Sequence, residues 1–263
     1  MIDFADAGLT LRARTSDDTD RAELAAGTVA LFDLFLRREH EFGFNPDVVV
    51  EYPDLEPGPE APFLAGVVAY VEGRIAELEA SGPPIARVVI LTTYGPLVGP
   101  ALQGAGWDAE HIDMPAGPDG TWTYRKDLRA EGRTLYIEAV NEADEKLRPD
   151  FLLELTDDQG RLRGGAWGAI HDRDGARYAY IATMTLDVGL KPGVGTRLGE
   201  ALHQTLAEAG VVAAHLGTQT AGPFYERLGF RITHRVLPEL RVRTGEDGAR
   251  VTTDLVMMER RLG

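Results

Sequence analysis

The chain has 263 residues, of which 44% are hydrophobic, and a formal net charge of −15. It contains no cysteine, and this excludes a disulfide framework, a thiolate nucleophile and a cysteine-ligated zinc site. The negative charge disfavours nucleic acid and anionic membranes as partners. It weakly favours cationic substrates such as amines, although solubility is the simpler explanation.

The length is enough for one large core or two ordinary ones, and we expect two domains. The first residues lack the basic and apolar segments of a signal peptide, and no apolar run is long enough to span a bilayer. The sequence therefore predicts a soluble, cytoplasmic protein.

In the N-terminal half, the readable pattern begins at residue 48. An apolar strand leads into a turn that ends at Gly58, and residues 63–80 form a predicted helix that ends at Gly82. A strand follows at residues 86–91, and residues 122–128 end this half of the chain.

The C-terminal half predicts a mixed sheet with helices. Three antiparallel strands precede a glycine-containing loop, and the strand after the next helix runs parallel to its predecessor. The predicted strands are residues 134–140, 151–155, 162–170, 178–188, 211–216, 231–237 and 251–260, the last two joined by a turn at 244–248. The predicted helices are residues 141–147, 196–209 and 223–229.

The loop at residues 190–198 contains a Gly-x-Gly turn at the start of a predicted helix, with glycines at Gly193 and Gly195. Unpaired backbone N–H groups and the helix dipole favour an anion at such a position. By itself, a Gly-x-Gly turn is more often only a tight connection. A second motif, Phe-Tyr-Glu-Arg-Leu-Gly-Phe at residues 224–230, strengthens the case for a phosphate site.

The two motifs together resemble the GNAT-superfamily N-acetyltransferases, whose pyrophosphate loop reads Gln/Arg-x-x-Gly-x-Gly/Ala and whose next helix carries Phe-Tyr-x-x-Leu-Gly-Phe. Leu190 stands where the family has Gln or Arg, which leaves Lys191, Arg197 and backbone amides to meet the phosphates. The resemblance spans roughly residue 134 to the C-terminus. The matching positions are Gly193, Gly195, Phe224, Tyr225, Leu228, Gly229 and Phe230.

The resemblance implies an α/β (α+β) fold with a mixed, mostly antiparallel twisted sheet flanked by helices, and acetyl-CoA as the acyl donor. It implies that Tyr225 donates a proton or hydrogen bond to the leaving sulfur, a role that suits a phenol protonated at neutral pH; a core tyrosine is the alternative. A backbone amide near residues 184–186 would polarise the carbonyl. The expected cofactor-binding residues are Met184, Thr185, Leu186, Val188, Lys191, Pro192, Gly193, Val194, Gly195, Thr196, Arg197 and Phe224.

The general base is less well defined. Asp187, His171 and His215 are candidates near the cleft, with Asp187 the catalytic prediction, and many enzymes of the family use a water chain instead. No metal is expected, because His40, His111, His203 and His234 have no metal-ligand spacing and His-Glu-x-x-His is absent. Conceivable contacts to an amine substrate are Tyr136, Glu138, Glu142 and Trp167, although Trp167 could equally fill the core.

The order of elements in the N-terminal half repeats that of the C-terminal half, which indicates a tandem duplication. We predict a degenerate GNAT-like domain at residues 1–130, with a structural, substrate-shaping or dimerising role, and a catalytic acetyl-CoA-binding domain at residues 131–263. The first copy has lost its site, because Pro59 and Glu60 replace Val194 and Gly195 and Leu102 stands at the tyrosine position.

These features predict an N-acetyltransferase that transfers an acetyl group from acetyl-CoA to a primary amine, with a small molecule as the expected acceptor. The alternative is a non-catalytic acyl-CoA-binding or protein-interaction module of the same fold. No nucleic acid or membrane is expected as a partner, and a homodimer is left open.

Overall fold

The computed structural model describes residues 2–39, 42–56, 58–112, 120–140, 149–245 and 248–262. The expected helix at 141–147, with Glu142, lies outside these residues, as do His40 and part of the turn at 244–248. No helix among the described residues is long and apolar enough to cross a membrane.

The described chain contains thirteen strands and six α-helices, which follow a 3-10 turn at Ala5–Ala7. The strands are β1 (Leu9–Thr15), β2 (Gly43–Phe44), β3 (Val48–Glu51), β4 (Ile85–Thr92), β5 (Asp108–Ile112), β6 (Thr121–Asp127), β7 (Arg133–Ala139), β8 (Phe151–Asp157), β9 (Leu162–Arg173), β10 (Ala176–Leu186), β11 (Val211–Thr218), β12 (Arg231–Thr244) and β13 (Arg250–Arg261). The α-helices are α1 (Arg21–Glu39), α2 (Pro62–Ala65), α3 (Val67–Ser81), α4 (Gly95–Gly104), α5 (Val194–Glu208) and α6 (Gly222–Arg227).

The chain forms two compact units. Unit 1 comprises Met1–Gly43, Ala143–Arg235 and Val256–Gly263, and unit 2 comprises Phe44–Glu142 and Val236–Leu255. Unit 2 therefore interrupts unit 1 along the chain, once after α1 and once within the β12–β13 hairpin. This division differs from the expected boundary between residues 130 and 131.

The division differs because β1 is an edge strand of the eight-stranded sheet and α1 packs on one face of that sheet. The eight-stranded sheet has the order β1-β8-β9-β10-β11-β13-β12-β2. Strand β1 pairs antiparallel with β8 from Leu9 opposite Asp157 to Thr15 opposite Phe151. The strand expected to open the C-terminal domain, at residues 134–140, exists as β7 but belongs to unit 2.

Helices cover both faces of the sheet in unit 1. Leu24 and Leu31 of α1 pack with Leu152 and Trp167, whereas α5 packs with Leu153 and the apolar residues of β10 and β11. Because successive residues of a strand point to opposite faces, Leu152 and Leu153 show that the two helices lie on opposite sides.

Unit 2 contains a five-stranded sheet with the order β3-β7-β4-β6-β5. Strand β7 runs parallel to both of its neighbours, β3 and β4. The helix expected at residues 63–80 is divided at Gly66 into α2 and α3. The five-stranded sheet has two parallel and two antiparallel pairs. In the eight-stranded sheet, β10 pairs parallel with β11, whereas the pairs β1–β8, β8–β9, β9–β10 and β11–β13 are antiparallel. Helices accompany these mixed, mostly antiparallel sheets, so the expected fold class is confirmed.

Candidate active site

The N-terminus of α5 is an uncapped helix end at the tip of β10. Gly193 is the N-cap residue and has φ +86°, a conformation that glycine adopts without strain. No side chain in the described part of the protein caps this helix. The first-turn amides of Gly195 and Thr196 have no intrahelical acceptor, and the dipole adds partial positive charge, so this end suits an anion.

Strands β10 and β11 separate beside this helix end. They pair in parallel from Arg177 to Tyr180, and the last pair is Tyr180 with His215. A β-bulge at Ala182 follows at once in β10. Residues 181–185, which include Met184 and Thr185, then pair only with β9 within the described chain. One backbone edge of β10 is therefore open along the stretch that leads to Gly193.

Helix α6 packs its motif against the loop. A Cβ atom built on Gly195 would lie 3.1 Å from a Leu186 methyl carbon and 3.3 Å from the Phe224 ring, so only glycine fits without displacing either side chain. The Phe224 and Tyr225 rings meet edge to face with centroids 5.2 Å apart, and Tyr225 meets Phe230 in the same way at 5.6 Å. The structure thus brings the two sequence motifs together.

Tyr225 is largely buried, with 7% of its surface exposed. Burial raises the pKa of its phenol well above the ordinary value of 10, because the phenolate would lose its hydration. The hydroxyl therefore remains protonated at neutral pH. Only the protonated phenol can donate a proton or hydrogen bond to a leaving thiolate.

The loop between β10 and α5 is exposed at Val188, Lys191 and Pro192, whereas the side chain of Val194 is buried. Leu190, at the family's Gln/Arg position, packs against the hydrophobic core of unit 1. Leu190 therefore replaces a polar phosphate contact with a core contact.

The two basic residues of the loop region contact residues 3–8, which we call the 3–8 turn. Lys191 donates a hydrogen bond to the backbone carbonyl of Asp6. Arg197 Nη1 donates to the backbone carbonyl of Asp3 at 3.0 Å and to the Asp6 carboxylate at 2.5 Å. The Arg197 guanidinium also lies 5.2 Å from the centre of the Phe4 ring. Nothing in the sequence pattern of the loop pointed to this turn.

Asp187 does not have the surroundings of a general base. Its Oδ2 accepts a hydrogen bond from Arg163 Nε at 2.9 Å, and its Oδ1 accepts one from the Val188 N–H at 2.9 Å. Both carboxylate oxygens are thus engaged in holding the turn after β10. The geometry favours a structural role for this residue.

The two histidine candidates, His171 and His215, lie at different distances along the strands from the candidate site. His171 pairs with Tyr178 near the start of β10, roughly 26 Å along the strand from Leu186. Its pKa is lowered, chiefly by burial. His215 lies beside the point where β10 and β11 part, with its ring 6.1 Å from that of Tyr178. The structure therefore places only His215 next to the opening.

The conceivable amine contacts belong to different parts of the chain, and Glu142 lies outside the described residues. Trp167 is 2% exposed and packs in the α1 core. Tyr136 and Glu138 are on β7 of unit 2, where the Tyr136 hydroxyl donates to Glu138 Oε2 at 3.0 Å. The site that the structure assembles consists of the β10 edge, the α5 N-terminus and the α6 motif.

Solved structures match part of this chain. No protein-family profile matches it, and no curated protein matches its sequence. The ribosomal-protein-S18-alanine N-acetyltransferase from Escherichia coli is 21% identical, with a TM-score of 0.30 over 43% of this chain and 68% of that one. An aminoglycoside 6′-N-acetyltransferase complexed with coenzyme A is 17% identical, with a TM-score of 0.31 over 43% and 73%.

A third structure, the IAA acetyltransferase from Bacillus cereus, is 16% identical, with a TM-score of 0.35 over 46% of this chain and 82% of that one. All three structures are acetyltransferases, and each match covers less than half of this chain.

Proposed function

We propose that the protein is an N-acyltransferase that transfers an acetyl group from acetyl-CoA to a primary amine of a small molecule. One observation carries the proposal: the open edge of β10 leads directly to the uncapped N-terminus of α5, and Phe224 and Tyr225 pack at the same place.

The residues of this site suit the chemical groups of an acyl-CoA. The amides of Gly195 and Thr196 can donate to its phosphates. An acyl-CoA also has an extended arm with amide groups, and residues 181–185 of β10 offer an unpaired strand edge to which such groups can add as a neighbouring strand does. Lys191 and Arg197 supply positive charge beside the helix end.

In the proposed reaction the amine nitrogen bonds to the acetyl carbonyl carbon and the carbon–sulfur bond breaks. The nitrogen loses a proton and the sulfur gains one. We assign the donation to sulfur to the Tyr225 hydroxyl, because burial keeps it protonated. The Asp187 carboxylate is engaged by Arg163, so we propose that the proton from nitrogen leaves through water, with His215 as the side-chain candidate.

A second candidate function is a non-catalytic acyl-CoA-binding module. The deep burial of Tyr225 in the core of unit 1 and the engaged carboxylate of Asp187 favour it. The two functions share the binding site and differ in turnover. An enzyme releases free thiol when amines are added, whereas a binding module retains acetyl-CoA unchanged.

We also propose that unit 2 is a degenerate copy of the same design. After β4, helix α4 begins with Gly-Pro as α6 does after β11. The Trp107 N–H bonds to the carbonyl of Leu102 at 3.1 Å, and the Phe230 N–H bonds to that of Tyr225 at 3.0 Å. The glycines before these aromatic residues, Gly106 and Gly229, both have positive φ.

The copies differ where the open edge lies in unit 1. Between β3 and β4, the counterparts of β10 and β11, unit 2 has the additional strand β7. Strand β7 pairs with β3 on one side and β4 on the other, so these strands leave no open edge between them for a ligand. We therefore propose a structural or substrate-shaping role for unit 2, without acyl-CoA binding.

The test is a matched pair of substitutions in the first turn of α5. Thr196 is exposed, and Thr196→Glu and Thr196→Gln differ mainly in charge. A glutamate in a first helical turn favours the helix but repels phosphates. We expect Thr196→Glu to weaken acetyl-CoA binding by more than about tenfold relative to Thr196→Gln, as a charge at contact distance does.

Calorimetric titration measures this affinity, and release of free thiol with a panel of small amines measures turnover. Equal affinities in the two variants, or no binding by the unmodified protein at millimolar acetyl-CoA, would contradict the proposed site. Binding without thiol release from any amine would favour the binding module.

A further inference from the structure

The contacts of the 3–8 turn with the loop region are of two chemical kinds. The backbone carbonyls of Asp3 and Asp6 hold Arg197 and Lys191 near α5 without neutralising their charge. The Asp6 carboxylate, in contrast, adds a negative charge against the Arg197 guanidinium. This carboxylate thus sits among the cations that the proposed function assigns to phosphate.

We propose that Asp6 is an affinity-setting residue, a carboxylate that competes with the phosphate groups of the acyl donor for Arg197. The inference rests on the proposed function and deepens it. In the free protein, Asp6 neutralises Arg197; when an acyl-CoA binds, its phosphates replace the carboxylate while the carbonyls of the turn keep both cations in place.

The turn is anchored independently of the Asp6 side chain. Phe4 is 2% exposed in the core of unit 1, and Leu9 starts the β1 pairing with β8. Gly8 closes the turn with φ +66°, and its N–H bonds to the Ala5 carbonyl at 2.9 Å. The Asp6 side chain is 68% exposed. It can therefore rotate away from Arg197 while the backbone of the turn stays in position.

Lys191 and Arg197 each have enough N–H donors to bind a backbone carbonyl of the 3–8 turn and a phosphate at the same time. An ammonium has three N–H donors and a guanidinium five, so a carbonyl and a phosphate can be served together. Two anions on the same guanidinium repel each other, however, and one must leave. The Arg197 contact holds the pKa of Asp6 below its ordinary value. The carboxylate is consequently ionised throughout the neutral range, and it is the ligand rather than pH that removes it from Arg197.

The test is titration of coenzyme A into the full chain and its Asp6→Asn, Asp6→Glu and Asp17→Asn variants. Asparagine retains an oxygen that accepts a hydrogen bond but lacks the charge. We expect Asp6→Asn to tighten the dissociation constant by about fivefold at low salt, the effect of removing one contact charge near the surface. The gain should shrink as salt is raised, because exposed charges are screened.

One control keeps the negative charge at position 6, and the other removes a negative charge at a different position. Asp6→Glu retains the carboxylate and should remain within about twofold of the unmodified protein. Asp17 forms a similar exposed ion pair, with Arg177 at 2.9 Å. Arg177 also donates to the carbonyl of Ala209, so this pair lies at the C-terminal end of α5, opposite the proposed phosphate site. Asp17→Asn changes the net charge equally and should leave the affinity unchanged.

Inorganic pyrophosphate serves as a second probe, because it has the phosphates but lacks the arm and the nucleotide. It should show the same gain with Asp6→Asn. Equal or weaker binding of coenzyme A by Asp6→Asn at low salt overturns the inference and leaves the proposed function intact, since Asp6 would then merely position Arg197. No binding of coenzyme A by any of these proteins overturns both.

Discussion

Tyr180 and His215 form the last backbone pair between β10 and β11, and the strands part directly after it. The bulge at Ala182 follows immediately in β10, and a bulge bends and twists its strand. The opening of unit 1 is thus built into the backbone. At the corresponding position of unit 2, β7 joins its neighbours on both edges.

Hydrogen exchange should distinguish these two arrangements. In the protein without ligand, the amides of β7 should exchange slowly, because they lie in the middle of a sheet. Those of residues 181–185 that face β11 should exchange faster. Added coenzyme A should slow exchange in residues 181–185 and in the first turn of α5, as measured by mass spectrometry of peptic peptides.

Unit 2 is the internal control for this measurement. Its β7 peptides should show the same exchange with and without coenzyme A. A ligand-induced change in β7 or β4 would show that unit 2 binds the ligand and that the degenerate-copy proposal is wrong. Fast exchange throughout β7 before ligand addition would contradict its place as a central strand.

Removal of the Tyr225 hydroxyl should slow the proposed reaction. We expect Tyr225→Phe to reduce kcat by roughly 10- to 1,000-fold, the range for losing one general acid. Acetyl-CoA affinity should change little, because the edge-to-face contacts with Phe224 and Phe230 are retained by a phenyl ring. The defect should diminish with acyl donors whose thiol is more acidic, since these need less protonation. Steady-state kinetics and calorimetric titration measure the two quantities.

The matched control is Tyr94→Phe, which removes a hydroxyl beside α4 of unit 2 and should leave kcat unchanged. Burial raises the pKa of Tyr225 above 10, so the rate should show no loss from Tyr225 ionisation up to about pH 10. Unchanged kcat in Tyr225→Phe, under conditions where chemistry limits the rate, would identify Tyr225 as a core residue alone.

A fragment of residues 131–263, the catalytic domain expected from the sequence, should not fold. It lacks Phe4, Leu9, Leu24 and Leu31, which are all 6% exposed or less in unit 1. Each such side chain contributes about 1.5–3 kcal/mol by burial, and their sum is comparable to the whole stability of an ordinary domain. Circular dichroism and the dispersion of amide NMR signals would show this. A cooperative thermal transition of the fragment would contradict the assignment of β1 and α1 to unit 1.

Local sequence patterns predicted most of the helices and strands, but they did not predict which strands pair in which sheet. The periodicity that predicted a helix at residues 196–209 corresponds to α5 (Val194–Glu208), and the strand at 134–140 corresponds to β7. Neither pattern states which strands pair. The pairing of β1 with β8 joins residues far apart in the chain, and short apolar strands fit equally well on several edges.

For the candidate site, the glycine and aromatic motifs predicted residues that the structure places together, because their residue types depend on local geometry. A Cβ atom on Gly195 would lie 3.3 Å from the Phe224 ring, tighter than an ordinary contact, and such constraints leave a trace in the sequence. The bulge at Ala182 and the contact of Asp6 with Arg197 have no recognisable sequence pattern. An alanine fits many strand positions, and an exposed aspartate fits almost any turn.

His203 should make unit 1 sensitive to acid. It is 6% exposed on α5, and its Nδ1 contacts the guanidinium of Arg260. Burial, and then the Arg260 charge, lower its pKa from 6.5 to about 4. In the unfolded chain the imidazole takes up its proton at the higher pH, so between pH 6.5 and about 4 the unfolded state binds more protons.

Stability should therefore fall as pH decreases through this window, and His203→Gln should remove that part of the fall because glutamine does not titrate. The glutamine carbonyl can still accept a hydrogen bond from Arg260. His171→Gln is the comparison, since burial also lowers the pKa of His171, and the effects of the two substitutions should add because they lie on separate elements. Urea unfolding at pH values from 4 to 7 measures the free energy of unfolding. An equally steep decline in His203→Gln would show that His203 titrates alike in the folded and unfolded states, and hence that it is not buried in solution as it is in the structure.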